Sequence, residues 1–204
     1  MAVIINGSSG ITSVNGSAAA PSVTGTDTDT GIVYGTNTLS LATGGTTALT
    51  ANSSQGIQVL NTIGVGNTTP STSGAGITFP ATQSASSDAN TLDDYEEGTW
   101  TPTDASGAGL TFTSINAKYT KVGNVVTVQA QLTYPTTANT NGAAITGLPF
   151  TGALQGGGSF YSGGAAGPIY VGTTIFYFAQ NTGASVNNNT LSTRAISFTA
   201  TYLV

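Results

Sequence analysis

The sequence predicts an all-β fold in two unlike parts, an extended intertwined stalk followed by an antiparallel β-sandwich or jelly-roll knob. Three observations predict it. Apolar and polar residues alternate through residues 125–134 and 195–204, the period-two signature of half-buried strands. Short Val-, Ile- and Thr-rich segments, most of them bounded by Gly or Asn, recur through the first 91 residues. No window there spaces apolar residues at i, i+3, i+4 and i+7 without an interrupting glycine, which disfavours helix.

Composition bounds the function before any motif does. Among 204 residues only 5% are charged, against roughly 25% in an ordinary soluble protein. Net charge is a modest −5 and β-branched residues are plentiful, so ordered β-structure is expected rather than disorder. Low charge also leaves little repulsion between exposed strand edges, so the chain is expected to hide its edges in an assembly. With no Cys and no His, disulfides, thiolate nucleophiles, the usual zinc ligand sets and Ser-His catalysis are excluded. The three cations, Lys118, Lys121 and Arg194, are too few for the counterion-releasing surface of a nucleic-acid binder. Residues 2–5 are too short for a signal-peptide core and follow no basic segment, and no apolar run approaches the ~20 residues of a membrane span. Neither secretion nor membrane insertion is expected.

The first part, residues 1–91, is poor in core material. Up to Leu92, 51 of 92 residues are Gly, Ser, Thr or Asn, and only Tyr34 and Phe79 are aromatic. Strands are predicted at 2–5, 11–14, 31–34, 38–41, 56–60 and 77–79. The run Ile5-Asn6-Gly7-Ser8 returns nine residues later as Val14-Asn15-Gly16-Ser17, and each Asn-Gly pair signals a tight turn. Burying a large apolar side chain stabilises by about 1.5–3 kcal/mol, whereas ordering each backbone residue costs roughly 1–2 kcal/mol. A single copy of this stretch therefore lacks the means to fold alone. A shaft wound from several chains is the preferred reading over disorder or a solenoid.

Residues 92–104, LDDYEEGTWTPTD, hold five of the eight acidic residues and the only tryptophan. They are read as a junction at 92–97 opening a knob at 98–204. Asp93, Asp94, Glu96 and Glu97 are dense enough to suggest a Ca²⁺ site, which takes about six to eight oxygens, but they lack the EF-hand pattern. A solvated acidic turn is the preferred reading, and no cofactor is expected. Neighbours so close in sequence also make a poor acid/base pair, so no catalytic residue is assigned. Trp100 reads as an anchor of the knob's core and Pro102 as a strand end.

The knob gives the clearest strands. In residues 125–134, Val126, Val128, Ala130, Leu132 and Tyr134 share one face. A hairpin joins 117–122 to this strand across Gly123-Asn124. Ile196, Phe198, Ala200, Tyr202 and Val204 repeat the pattern, and further strands are predicted near 168–173 and 175–179. Between them, residues 152–168 set Phe160 and Tyr161 among seven glycines, read as a loop. Closing over the core is the preferred role of the two rings; stacking on a receptor sugar is the functional alternative.

Several phrases resemble the virion structural and fibre proteins of tailed bacteriophages. LDDYEEGTWTP (92–102), KYTKVGNVVTVQ (118–129) and ITGLPF (145–150) are similar to the C-terminal module of that family. INGSSGITSVNGSAAAPSVTGTDTDTGIVYGTNTLSLATGG (5–45), followed by IGVGNTTPS (63–71), resembles its repetitive N-terminal part. The resemblance implies a non-enzymatic virion component assembled in the bacterial host cytoplasm as a homotrimer. Its N-terminal region would dock on other virion proteins of the tail or capsid, and its knob would face the host, with a surface glycan as a candidate ligand. A capsid decoration protein or head fibre is the alternative to a tail fibre.

Overall fold

The computed structural model describes residues 4–6, 10–12, 15–54, 56–66, 68–88 and 90–204, the first two segments by their backbone alone. Two compact units divide at Ala81 and Thr82. The acidic stretch at 92–97 lies within the second unit.

In the first unit, β1 (Ile4–Asn6) pairs with β2 (Gly10–Thr12) antiparallel. A five-stranded antiparallel meander follows in chain order: β3 (Val23–Thr24), β4 (Gly31–Gly35), β5 (Thr38–Thr43), β6 (Thr46–Ala51) and β7 (Ile57–Val59). Last, β8 (Thr62–Gly64) pairs in parallel with β9 (Gly76–Thr78). Tight turns connect the meander where the backbone enters the left-handed region. Asn37 lies at φ 59° between β4 and β5, and Gly44 and Gly45 at φ 55° and 72° between β5 and β6.

Each of the six predicted strands overlaps an observed one, whereas β3, β6 and β8 lie outside the prediction. Each of those three carries a single large apolar residue (Val23, Leu49 or Ile63), too little to stand out in a Thr-rich background. The turn predicted at Asn6-Gly7 lies outside the described residues. The one predicted at Asn15-Gly16 is displaced. Gly16 N–H donates to Tyr34 O at 3.1 Å, and the turn closes instead over residues 18–19, where Ser17 and Ala20 exchange backbone hydrogen bonds at 3.0 and 3.1 Å.

The second unit contains β10 (Tyr95–Thr99), β11 (Thr103–Asp104), β12 (Thr113–Val122), β13 (Val125–Thr133), β14 (Ala144–Thr146), β15 (Leu154–Ser162), β16 (Ala165–Val171), β17 (Ile175–Phe178), the short helix α1 (Asn188–Leu191) and β18 (Ala195–Leu203). All nine strands join one antiparallel sheet in the order β10-β12-β13-β18-β15-β16-β17-β14-β11. The first and last strands of that order are consecutive in sequence. Only residues 100–102 separate them, a span of no more than about 14 Å, so the sheet must curl until its edges approach. The rings report the same curl. Phe198 on β18 lies three strands from β17 along the sheet, about 14 Å if flat, yet its centroid is 5.7 Å from both Phe176 and Phe178. The core is thus sandwich-like in packing, but one continuous sheet encloses it.

The predicted alternation places that core. Val126, Val128, Ala130, Leu132 and Tyr134 are all buried, and so are Ile196, Phe198, Ala200 and Tyr202 on the neighbouring strand. Gly123 opens the β12–β13 turn at φ 55°, as a two-residue hairpin with glycine first requires.

One expectation is overturned. Residues 152–168 are not a Gly-rich loop but most of the β15–β16 hairpin, in the body of the sheet. The glycines serve close approach. A Cβ at Gly156 or Gly158 would run into the backbone oxygen of Thr201 or Thr199 on β18. Glycine here lets two strands sit tightly together, whereas its abundance in the sequence reads as mobility.

Candidate functional site

The acidic stretch is built into strand β10, and the pleat sends its carboxylates to different partners. Asp93, just before the strand, accepts from the Ser86 amide at 2.7 Å and the Gln83 side chain at 3.3 Å. The Ser86 hydrogen bond holds its carboxyl below the usual 3.8. Asp94 and Lys121 form a buried ion pair, with the Lys121 ammonium 5.6 Å from the Phe150 ring centroid. Glu96 accepts from the Tyr119 hydroxyl, and that bond raises the phenol to about 12. Glu97 accepts from the Tyr95 hydroxyl. Asp94 and Glu96 tie the edge strand to β12, whereas Asp93 and Glu97 bond elsewhere, so the four carboxylates do not converge on one point. Among the described residues no three carboxylate, His or Cys groups are placed to hold a metal ion. The expected solvated turn is therefore a strand, with one of its acids buried.

Trp100 lies where the two sheet edges meet. Its ring is buried against Phe176 and Phe198 at 5.7 and 6.1 Å, and its Nε1 donates to Lys118 O at 3.2 Å. A buried indole with its one donor satisfied is a packing residue.

At the opposite end of the core, Asn188 on α1 is fully buried and every polar atom of its amide is engaged. Its Nδ2 donates to Ser106 Oγ and Asn139 Oδ1, both at 2.9 Å, and its Oδ1 accepts from the Tyr134 hydroxyl at 3.3 Å. Asp104 organises the same region by accepting from the Ser106 amide and hydroxyl and from the Leu110 amide. Burial pushes the Asp104 carboxyl upward, but these donors outweigh it and the net shift is below 3.8. A carboxylate whose folded pKa is depressed contributes stability present above its unfolded value and lost as pH falls through the folded one. The melting temperature of the second unit is therefore expected to drop as pH falls below the ordinary carboxylate value of about 4, and Asp104→Asn is expected to flatten part of that slope. Parallel pH profiles for the two proteins would refute this role.

Phe160 and Tyr161 are neighbours on β15, so they face opposite ways. Phe160 is buried, edge-on to Phe178 at 5.1 Å. Tyr161 is 65% exposed on the outside of the sheet. Only Tyr161 is placed to meet a ligand directly.

Cross-strand register reveals what surrounds it. One outward row runs Lys118–Gln129–Thr199–Ser159 across β12, β13, β18 and β15. The next runs Asn116–Gln131–Ser197–Tyr161 across the same strands. Together they line an open groove of about 620 Å³. The polar members were legible only as the solvent face of separate strands; their alignment needs the order β13-β18-β15, which the sequence does not disclose.

A second surface lies on the first unit. Register aligns Val23–Ile32–Leu41–Leu49–Val59 in one row across all five strands of the meander. The adjoining row is Tyr34–Leu39–Ala51–Ile57 on β4 to β7. Every side chain in both rows is apolar or aromatic, yet Val23, Leu39 and Leu41 are 45–46% exposed and Ile57 is 72% exposed. Val33, Ser40 and Ala42, on the other face, are the buried residues of the meander. Among the described residues of the first unit, Val33 and Ala42 are the only hydrophobic ones that are buried.

The fold and these surfaces define an all-β protein with one well-filled and one core-poor unit. Comparison with family models, curated proteins and solved structures finds no match.

Proposed function

We propose that the protein is a non-enzymatic structural component of a bacteriophage virion, a short homotrimeric fibre. The first unit would form the stalk and dock on other virion proteins, and the second would be the knob facing the host or solvent. The observation that carries this reading is the apolar face of β3 to β7. A contiguous apolar patch of this kind marks an interaction surface. Each large side chain it hides from water contributes about 1.5–3 kcal/mol, which the single chain forgoes. The two rows of the face hold no charged side chain, so identical copies can meet along them without like charges in contact. Three copies, and the virion setting, come from the phage-like phrases at 5–45, 63–71 and 92–102.

Light scattering or native mass spectrometry of the purified chain is expected to give the mass of three copies. A monomer at micromolar concentration would refute the proposal. The flat, uncharged face also suits a capsid shell, which keeps a head fibre or decoration protein as the second reading. Antibody labelling over the head of the particle favours decoration, and labelling at the tail favours the fibre.

A further inference from the structure

We infer that the outward groove across β12, β13, β18 and β15 is a binding trough for an uncharged oligosaccharide. Its volume of about 620 Å³ falls in the range of small-ligand sites. Its two side-chain rows offer amides and hydroxyls, groups that both donate and accept and so match the hydroxyls of a sugar. Lys118 is the one charged residue among them. A single cation gives little purchase on a polyanion, whether nucleic acid or acidic polysaccharide.

Aromatic rings complete the pattern. Tyr161 closes one end of the groove with an open ring face. Four residues back along β15, about 13 Å, Gly157 stands opposite Tyr170, which in turn stands opposite Tyr177 on β17. All three tyrosines point outward and are about half exposed or more. An amphipathic ring left in water is the residue expected where one partner is apolar on its face and polar at its rim. A pyranose has that character. Tyr170 and Tyr177 lie outside the groove's own lining, on the continuation of the same outward face, and the span of about 13 Å along β15 to them suits a chain of several sugars rather than one.

The inference deepens the reading of the second unit as an outward-facing knob, and it rests on that reading for the glycan's source but not for the binding. The test is titration of the full chain with a panel of neutral hexose and N-acetylhexosamine oligosaccharides, beside the same panel carrying uronic acids. Saturable binding to neutral members is expected. Tyr161→Ala should weaken it about tenfold, and the double variant Gln129→Ala, Gln131→Ala should weaken it at least as much. All three side chains lie on the exposed face of strands, so these variants keep the fold, and an unchanged melting curve would show it. Absence of binding to every member, preference for the acidic members, or full affinity in both variants would each overturn the assignment. A trimer that binds no glycan would refute this inference alone. A monomer that binds one would refute the fibre and spare the trough.

Discussion

Replacing Leu41 with aspartate is expected to break the proposed trimer into single chains. Leu41 is the central residue of the five-strand apolar row, and in the isolated chain it is 46% exposed. A carboxylate there would be harmless in water but ruinous at a dry interface. An uncompensated buried charge costs several kcal/mol, and symmetry repeats that cost in every copy. The apparent mass in solution should therefore fall to that of one chain, while the second unit retains its melting transition. Gln58→Asp supplies the control, because Gln58 lies on the opposite face of the same sheet in the row Val33–Ser40–Thr50–Gln58. It should leave the mass unchanged. If Leu41→Asp keeps the full mass, that face is not where copies meet.

Removal of Asp94 should produce a large loss of stability in the second unit. The Asp94–Lys121 pair is buried on both sides, at 8% side-chain exposure each. It ties the entry to β10 against β12, at the edge where the curled sheet meets itself. Asp94→Ala leaves the Lys121 ammonium buried beside the Phe150 ring without its counter-charge. Breaking such a pair from one side typically costs about 3–5 kcal/mol, which corresponds to a fall in melting temperature of roughly 10–20 °C for a unit of this size. The double variant Asp94→Leu, Lys121→Met removes both charges and is expected to regain most of the loss, since a packed apolar pair often replaces a buried ion pair at no net cost. A single variant that melts within a degree or two of the parent would show the pair to be a surface contact. A double variant no better than the single would show that Asp94 acts through something other than Lys121.

Much of the knob was legible because its signal is local. Val126 to Tyr134 and Ile196 to Tyr202 declare their inward face by alternation alone, and Gly123-Asn124 declares its turn. What stayed hidden depends on partners distant in sequence. Gly156 and Gly158 read as mobility until β18 is seen pressed against them. Asp94 reads as solvated until Lys121, 27 residues away, is placed beside it. The same limit applies to both candidate surfaces. Leu39 and Leu41 were visible as part of a strand, but a row that includes Val23 and Val59 exists only once the meander sets its register. The acids at 93, 94, 96 and 97 were grouped by sequence proximity; two of them precede β10, and the pleat of that strand turns Glu96 and Glu97 to opposite faces.

The position of β18 has a consequence for how the knob comes into being. It lies between β13 and β15 in the sheet, yet residues 195–203 leave the ribosome after the other eight strands of that sheet. Until they emerge, β13 and β15 each lack their shared neighbour, and the two flanks of the sheet are joined at their outer edges, through residues 100–102 between β10 and β11. Completion of this sheet therefore waits for the end of the unit's synthesis, when β18 pairs with β13 across 62–78 residues and with β15 across 36–49; such long-range closure is intrinsically slow. A prematurely ended chain would carry the apolar face of the first unit with the second unit's sheet still open between β13 and β15.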